Sequence, residues 1–461
     1  MKRIAAWILA LALCLSGAAL AEAEGPLFEA KSIYGLDTAE TGCLKYTNYK
    51  SGYGLVSVEG ETLSEEAFGA VDHAGHGYYE VINENGLETH GLVDSHGGEL
   101  IPMKYSAFQV YSDQWVGAVV VTPTDDEDGD YGSGFFGGGD QYNIDHVDMW
   151  YLPEGKLAGT LTRDQFKEAR AVGGGEYVLV KDRSKGLALY NAAFESVEHL
   201  FESFDDAEIC IYQPNKLQAA KLVSRVTCQP VSEELPDSVS TISYRSDLFA
   251  ICKDIPGPNG NERRYALIDP EGKQLTDYVL GSVTRICDDR YVISNIYDRA
   301  AGATRYGVYD LEAGKELLPF AYDRIVTIGD QVCLNGYFLA QLDDKEGFVD
   351  AENNVTCPFE CNKNNVDKEY GCSFTYRDGD RLMLASADGV VTDLTEKGVA
   401  DTMYSQDGND GRFIPVKNAD GKYAIFDWHG NVVVDFVLDG LPYLYRDGYM
   451  VYDGGIYHLT L

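Results

Sequence analysis

Residues 90–105 read HGLVDSHGGELIPMKY, and this stretch decides the fold that the sequence predicts. A short apolar strand leads into a turn at Asp94-Ser95-His96-Gly97, and a second apolar strand follows. Asp at the first turn position can accept hydrogen bonds from the backbone of the turn, and Gly at the fourth position adopts the left-handed conformation. A type I turn followed by a left-handed glycine closes a tight β-hairpin. The stretch therefore predicts a β-hairpin.

The same hairpin signature recurs along the chain. The matching turns are Asp269-Pro270-Glu271-Gly272, Asp427-Trp428-His429-Gly430 and the related Ser57-Val58-Glu59-Gly60, Leu152-Pro153-Glu154-Gly155 and Ser386-Ala387-Asp388-Gly389. Most turns follow one another at intervals of about 40 residues, a period typical of repeat proteins. An aromatic-rich strand marks each unit, at Tyr79, Trp115, Tyr177, Tyr212, Phe249, Tyr291, Phe338, Phe374, Phe413 and Tyr449. We predict one repeat domain over 22–461 with about ten units, an acidic Gly-rich insertion at 124–140 and a degenerate unit at about 225–255.

A unit of about 40 residues cannot bury its own apolar face, so neighbouring units must stack. The sequence therefore predicts an all-β fold of tandem repeats, each with three to four short antiparallel strands. A β-propeller-like arrangement would hide the sheet edges, and the alternative is an open superhelical array of β-hairpins. Residues 44–48 are expected to start the chain as a closing strand and residues 456–459 to end it as an opening strand, so that the two ends can pair. Residues 162–171 are expected to form one or two helical turns.

A more specific pattern links the hairpins. A residue followed by Gly, two apolar residues and Asp precedes the turn, and Pro and Tyr follow it, as in residues 90–94 with Pro102 and Tyr105, and residues 306–310 with Pro319 and Tyr322. The pattern resembles the WG-repeat (KWG) family of bacterial proteins, although Tyr or a polar residue replaces the Trp before the Gly. The resemblance covers most of the mature chain. It implies a β-rich repeat domain used for interaction, with no shared catalytic residue.

The N-terminus and the charge indicate the compartment and exclude one class of partner. Residues 1–21 read as a signal peptide, because Lys2 and Arg3 precede an apolar run and Ala19-Leu20-Ala21 forms a small-x-small cleavage site. The formal net charge of −37 disfavours nucleic acid, whose binding needs Lys and Arg to replace counterions. No later apolar run is long enough to predict a transmembrane segment. We expect a protein that is secreted or held at the cell surface.

No cofactor is predicted, although two groups of residues suggest metals. Asp126, Asp128 and Asp130 lie in an acidic stretch that could bind calcium weakly, but Tyr131 occupies the position where an EF-hand needs Gly. A solvated loop is the simpler interpretation. His73 and His76 could join a zinc site, while loop histidines at His73, His76, His90 and His96 are the alternative. Among Cys357, Cys361 and Cys372, buried thiols are expected, and one disulfide is the alternative.

The sequence contains no motif that indicates a particular enzymatic reaction, so no catalytic residue is predicted. We found no nucleophile elbow, zinc-protease helix or phosphate-binding loop. The resulting hypothesis is a secreted, non-enzymatic repeat module that presents a binding surface for an extracellular protein or glycan. The alternatives are an extracellular carbohydrate-active enzyme with a site in a central propeller pocket, and a structural component of the cell envelope. Most strand aromatics are expected to pack sheet on sheet, while a minority could stack on sugars or peptides.

Overall fold

The structure is a computed structural model that describes residues 26–37, 42–49, 52–82, 90–123, 142–215, 218–235, 238–242, 245–257, 260–328, 331–404 and 411–460. The predicted signal peptide (1–21) and acidic insertion (124–140) therefore lie outside the described residues. The chain divides into two compact units. We call residues 30–250 with 268–273 the first unit, and residues up to 29 with 251–267 and 274–461 the second unit.

Four four-stranded antiparallel sheets follow β1 (Phe28–Glu29) and build most of the first unit. Sheet 1 contains β2 (Ser32–Asp37), β3 (Cys43–Thr47), β4 (Tyr53–Ser57) and β5 (Thr62–Phe68). Sheet 2 contains β6 (Ala70–Gly75), β7 (Tyr78–Ile82), β8 (His90–Asp94) and β9 (Glu99–Tyr105). Sheet 3 contains β10 (Ala107–Val110), β11 (Trp115–Pro123), β12 (Tyr142–Tyr151) and β13 (Lys156–Thr162). Sheet 4 contains β14 (Glu168–Val172), β15 (Tyr177–Lys181), β16 (Leu187–Tyr190) and β17 (Ser196–Val197).

Two smaller sheets come next along the chain. Sheet 5 contains only β18 (Ile209–Tyr212) and β19 (Lys221–Ser224). Sheet 6 contains β20 (Ser238–Ile242), β21 (Arg245–Gly257) and β22 (Gly260–Ile268). Sheet 5 and the first two strands of sheet 6 lie where the turn signature is missing from the sequence, and the signature returns at Asp269, directly after β22.

Four more four-stranded sheets follow in the second unit. Sheet 7 contains β23 (Ser282–Cys287), β24 (Tyr291–Asp298), β25 (Ala303–Asp310) and β26 (Lys315–Tyr322). Sheet 8 contains β27 (Arg324–Ile325), β28 (Tyr337–Leu342), β29 (Lys345–Asp350) and β30 (Val355–Asn362). Sheet 9 contains β31 (Val366–Glu369), β32 (Ser373–Asp378), β33 (Arg381–Ser386) and β34 (Val391–Asp393). Sheet 10 contains β35 (Val399–Thr402), β36 (Phe413–Asn418), β37 (Tyr423–Asp427) and β38 (Val432–Leu438).

Sheet 11 joins the two ends of the described chain. Its strands β39 (Tyr443–Leu444), β40 (Tyr449–Tyr452) and β41 (Gly455–His458) are completed by β1, in which Phe28 pairs with Ile456. The expected pairing of the ends is therefore present, but the N-terminal partner is β1. Residues 44–48 lie instead in and just after β3, the second strand of sheet 1, because β2 precedes it.

Helical structure among the described residues is limited to short 3-10 turns, at Leu152–Glu154, Arg163–Gln165, Lys363–Asn365 and Arg446–Gly448. The expected helix at 162–171 is thus one turn only, at Arg163–Gln165. A capping box between Thr162 and Gln165 closes this turn, and β14 begins at Glu168. No helix in the described part of the chain is both long and apolar enough to cross a membrane.

The predicted turn geometry is confirmed after the third strand of the sheets. In sheet 2, the Gly97 N–H donates to Asp94 O over 3.0 Å, and Asp94 Oδ1 accepts from the His96 and Gly98 N–H groups. Asp269 and Asp427 bond their turns in the same way. The fourth turn residue has a positive φ in each of these turns, for example +75° at Gly97. The recurring Asp and Gly residues therefore have a structural role.

The second half of the sequence pattern is a β-bulge. In sheet 7 the pairs on either side of the bulge are Tyr306–Tyr322 and Val308–Leu318. Gly307 therefore lies opposite three residues, which begin at Pro319. A Cβ atom on Gly307 would lie 2.7 Å from Leu318 O, so only Gly allows this approach. Proline has no N–H to donate to the hydrogen bonds between neighbouring strands, and the bulge accommodates it. The spacing from Gly to Pro to Tyr encodes this bulge.

Consecutive sheets stack through the aromatic residues of their second strands. Tyr79 of sheet 2 packs in one cluster with Leu55 of sheet 1, and Phe338 of sheet 8 packs with Val308 of sheet 7. Phe374 of sheet 9 packs with Phe348 of sheet 8. We call the aromatic residues that mark the units the aromatic ladder. Most of them are fully buried, namely Tyr79, Trp115, Phe249, Phe338, Phe374 and Phe413. The prediction of an all-β fold built from tandem, mutually shielding sheets is confirmed, and the choice between a closed ring and an open array stays a prediction.

Hairpin tips also contact the preceding sheet. A Cβ atom built on Gly97, at the tip of sheet 2, would lie 2.7 Å from the Ser64 Cβ atom in β5. On Gly389 it would lie 2.6 Å from Thr356 O in β30. The same relation therefore recurs in both units: the turn glycine of one sheet rests on the fourth strand of the sheet before it.

Candidate functional site

The structure does not describe the residues that are predicted to bind calcium. Asp126, Asp128 and Asp130 lie outside the described residues, and the calcium hypothesis stays a prediction. Elsewhere, over the ranges that the structure describes, no three His, Cys, Asp or Glu side chains come together in a way that could hold a metal ion.

The histidines that suggested zinc occupy separate positions in sheet 2. His73 lies on β6, where its ring contacts the ring of Tyr79, and His76 lies in the β6–β7 turn. The Nδ1 atom of His90 is 2.5 Å from Glu80 Oε1 on the neighbouring strand. His96 is exposed at the hairpin tip. His73 and His90 thus lie on two different strands, and His76 and His96 lie in turns. The structure does not bring these histidines together as a metal site.

The cysteines of sheet 8 are thiols. Cys357 and Cys361 both lie on β30 without a disulfide, so no disulfide joins any two of Cys357, Cys361 and Cys372. Burial raises the pKa of each of the two β30 thiols to about 11, and each thiol is therefore protonated at neutral pH. The interpretation as thiols is confirmed, and the alternative of a disulfide among these three residues is wrong.

Sheets 8 and 9 bring two glutamates together. Glu346 on β29 is 2% exposed, and its Oε1 atom accepts a hydrogen bond of 2.7 Å from Gln341 Nε2. Burial raises the pKa of Glu346, and nearby Glu369 on β31 raises it further, whereas Gln341 and Arg324 act in the opposite direction. Substrate cannot reach a carboxylate that is this deeply buried. We therefore interpret the pair as part of the packing between the two sheets.

The substitution Glu346→Gln should stabilise the protein at neutral pH. A carboxyl group whose pKa is raised in the folded state stabilises that state below its unfolded pKa, and this contribution is lost as pH rises through the folded pKa. We expect Glu346→Gln to raise the free energy of unfolding at pH 7 by about 1 kcal/mol, and the gain to vanish near pH 4.

Urea unfolding at both pH values measures the effect of Glu346→Gln. Glu352→Gln, at an exposed position of the hairpin tip in the same sheet, is the control and should change little at either pH. A loss of stability in Glu346→Gln at pH 7, or an equal gain at both pH values, would contradict the assignment.

One cleft lies in the first unit, beside the two-stranded sheet 5. Its volume is about 760 Å³, and we call it the tyrosine groove because Tyr212, 56% exposed, is part of its lining. Tyr212 is one of the aromatic residues predicted to mark the units, but it ends β18, the first strand of sheet 5, and does not lie on a second strand. Leu200 and Pro214 are also part of the lining. The reduced sheet 5 thus leaves an aromatic residue open to solvent.

A second cleft lies in the second unit, between β22 and sheet 7. Its volume is about 660 Å³, within the range of roughly 300–1,000 Å³ that is typical of ligand sites. We call it the arginine cleft, and its lining is Asn261, Glu262, Arg263, Arg264, Tyr265, Ser282, Asn295, Ile296, Tyr297, Asp298, Arg299 and Ala300.

Local sequence explains why these segments meet at the arginine cleft. Tyr265, within β22, forms backbone hydrogen bonds with Leu280, which brings β22 beside the start of β23. A Cβ atom on Gly281 would lie 2.0 Å from Asn295 O, so the absence of a side chain lets β24 pass close by. The carboxylate of Asp298 accepts hydrogen bonds from the N–H groups of the turn after β24, and this turn carries Arg299.

Arg264 and Arg263 differ in their surroundings within the cleft. Arg264 pairs with Glu262 over 2.7 Å, donates a hydrogen bond to Val279 O, and lies over the ring of Phe320. Its charge is therefore balanced by a carboxylate, and its side chain is held in place by three contacts. Arg263 pairs with Asp254 over 3.3 Å, but both side chains are more than half exposed. An exposed pair of this kind contributes little stability and can be exchanged for a ligand.

The remaining lining of the arginine cleft combines polar, aromatic and aliphatic residues. Tyr297 is 65% exposed. Asn295 donates from Nδ2 to Thr284 Oγ1 and retains an amide oxygen that can accept a hydrogen bond. Asn261 and Ser282 are exposed. Such a lining offers a ring face, amide groups and cationic donors to a ligand.

Sequence reasoning missed this cleft. Its lining residues come from β22, the start of β23, and the end of β24 with the turn that follows, and none of them is one of the Asp or Gly residues of the repeated turn. One signal was present: Arg263 and Arg264 are adjacent, and Arg299 lies in the next hairpin, in a chain with 37 basic and 74 acidic residues.

Fold and sites together define an all-β protein of tandemly stacked small antiparallel sheets. No family model matches the chain, and no curated protein matches it. Among solved structures, a eukaryotic initiation factor is 12% identical, with 86% of this chain and 95% of that chain covered and a TM-score of 0.30. BamB from Moraxella catarrhalis is 12% identical, with 66% and 97% covered and a TM-score of 0.24. The computationally designed Ika8 protein is also 12% identical, with 65% and 97% covered and a TM-score of 0.22.

Proposed function

We propose that the chain is a secreted, non-enzymatic repeat module of the WG-repeat type that binds an extracellular protein or glycan through the arginine cleft. The observation that carries the proposal is the lining of that cleft. Exposed Tyr297 lies there together with Arg263, Arg299 and two asparagines, on a chain whose unit-marking aromatic residues are mostly buried between sheets.

The lining of the arginine cleft supports a binding function more than it supports the alternative of a carbohydrate-active enzyme. Hydrolysis of a glycosidic bond uses two carboxyl groups that flank the bond. In the arginine cleft, Asp298 bonds the backbone of its own turn and Glu262 is paired with Arg264. Both acids therefore have structural partners, whereas the amide groups and the tyrosine ring are suited to recognition. The envelope-component alternative predicts self-association, which sedimentation of the mature chain would detect.

Tyr297→Ala should remove binding without affecting the fold. The mature chain is screened against arrays of extracellular glycans and of peptides, and the affinity for each hit is then measured for the variant. We expect a loss of about tenfold or more, because the variant lacks the exposed ring on which the ligand would pack. Tyr404→Ala is the matched control, since Tyr404 is 61% exposed in the same unit but lies outside the cleft.

Two results would contradict the proposed function. One is an array on which neither glycans nor peptides bind the mature chain at millimolar concentration. The other is a hit whose affinity is unchanged in Tyr297→Ala, because that ligand would bind elsewhere on the molecule.

A further inference from the structure

We infer that β18 binds an extended basic segment of a partner protein, which pairs with its open edge as an added β-strand beside the tyrosine groove. This site lies in the first unit and does not depend on the arginine cleft. The inference starts from a difference between sheets. In sheet 2, β7 carries Tyr79 and pairs with a strand on each side, whereas over the described residues β18 pairs only with β19.

The hydrogen bonds of β19 show which of its residues face away from β18. The Leu222 N–H donates to Ser232 Oγ over 2.8 Å. The Ser224 N–H donates to Gln229 O over 2.9 Å. Both acceptors belong to the segment after β19, which also forms an isolated bridge with that strand. This segment therefore covers one edge of sheet 5, and β18 forms the other edge.

Two residues of β18 face the open edge. Because bonding alternates along antiparallel strands, the remaining residues of β19 bond β18, where their partners are Tyr212 and Cys210. Ile209 and Ile211 therefore direct their N–H and C=O groups away from β19. No residue that the structure describes bonds these groups. Such an edge is a template for a further strand.

The tyrosine groove offers a place for the side chains of an added strand. Side chains alternate between the two faces of a sheet, and Tyr212 shares its face with its partner Lys221 and with Val223. All three line the groove, as do Leu200 and Pro214. Every second side chain of the added strand would lie on this face, next to the ring of Tyr212. Backbone bonds then provide affinity, and the groove favours apolar side chains at alternate positions.

The chain that leads into β18 is acidic. Residues 186–215 contain six acidic residues and no Lys or Arg. Asp206 pairs with Arg225. The Glu208 carboxylate accepts a hydrogen bond from the Gly173 N–H, so these two acids already have partners. The other four acidic residues are exposed, namely Glu195, Glu198, Glu202 and Asp205.

The charge at the groove has the same sign and indicates a basic partner. Glu234 is 3.5 Å from Lys221 and balances its charge. Burial and the nearby carboxylate of Glu198 raise the pKa of Cys228, a lining residue, so Glu198 lies close to the groove. A second copy of a chain with a net charge of −37 would be repelled, whereas a strand whose polar residues are Lys or Arg would be attracted.

Synthetic peptides test the inference on the full mature chain. The probe is a short, capped peptide of alternating Lys and Val, and fluorescence anisotropy measures its affinity. We expect methylation of all its backbone N–H groups, which removes the donors but keeps the charge, to weaken binding at least about tenfold. Replacing its Lys residues by Glu should weaken binding by a similar factor, because the acidic surroundings then repel the peptide.

Two measurements on the protein locate the bound peptide. Binding should slow hydrogen exchange of the Ile209 and Ile211 amides and leave that of the Cys210 amide, which already bonds β19, unchanged. Ile211→Pro removes one outward N–H and keeps the bonds to β19, so it should lower the affinity about tenfold. Tyr297→Ala, in the arginine cleft, is the control and should bind the peptide as the unsubstituted chain does.

Each other outcome contradicts the inference in a recognisable way. Equal binding of the plain and methylated peptides, or unchanged exchange at Ile209 and Ile211, would mean that no strand is added to β18. Equal or tighter binding of the Glu peptide would overturn the basic partner. Self-association of the chain that Ile211→Pro abolishes would make a second copy the occupant, and the absence of binding at millimolar concentration would overturn the site itself. All of these results would leave the proposed function intact, because the arginine cleft is tested with other ligands and another variant.

Discussion

Replacing Phe374 by alanine should lower the free energy of unfolding by about 3–5 kcal/mol, the usual cost of deleting a buried Phe side chain. Phe374 is 1% exposed in β32, and its ring lies 5.8 Å from the ring of Phe348 in the preceding sheet. Its removal would leave a cavity between two sheets, neither of which can close it alone. Chemical denaturation followed by Trp428 fluorescence measures the loss, because Trp428 packs against the same cluster.

Tyr212→Ala is the matched control for Phe374→Ala. The sequence pattern assigns Tyr212 the same role in its unit, but Tyr212 ends β18 of the two-stranded sheet 5 and is 56% exposed, so its removal should cost no more than about 0.5–1 kcal/mol. Similar losses in the two variants would mean that burial between sheets is not what stabilises the ladder.

Gly389→Val is expected to destabilise the protein by about 3 kcal/mol or more, because it combines backbone strain with a clash. Gly389 has a φ of +88°, and a Cβ atom there would lie 2.6 Å from the backbone oxygen of Thr356 in the sheet before it. A backbone oxygen held in a strand cannot move aside as a flexible side chain can.

The control for Gly389→Val separates strain from clash. Gly314 ends the corresponding turn of sheet 7, which is one residue longer, with a φ of +65°, and nothing lies within 4 Å of a Cβ atom there. Gly314→Val should therefore cost only the strain of the left-handed conformation, about 1–2 kcal/mol. If urea unfolding gives equal losses for the two variants, the tip of sheet 9 does not rest on sheet 8.

Local chemistry explains which parts of the fold could be predicted. The turn at Asp94 to Gly97 was predictable because Asp and Gly act within four residues of chain. Pro319 and Tyr322 were recognised as a pattern, but their role was not, because a bulge is defined by pairing with another strand. For the same reason β1 was missed: its partner Ile456 lies at the other end of the sequence.

The arginine cleft could not be predicted because nothing in the repeat encodes it. Arg263 and Tyr297 come together only through the bridge between Tyr265 and Leu280 and the close approach of Gly281 to β24. The sequence also could not distinguish Tyr212 from Phe374, since both are aromatic residues in predicted strands. In the structure, Phe374 lies on the second strand of a four-stranded sheet and Tyr212 ends the first strand of a two-stranded sheet.

The central claim is that adjacent sheets share one core, and a double-mutant cycle between Phe348 and Phe374 tests it most directly. The two residues belong to sheets 8 and 9 and are replaced by Leu separately and together. Shared packing predicts that the two changes are not additive, with a coupling of about 0.5–1.5 kcal/mol in the free energy of unfolding. Strictly additive losses would show that each sheet keeps its own core, and would contradict the account.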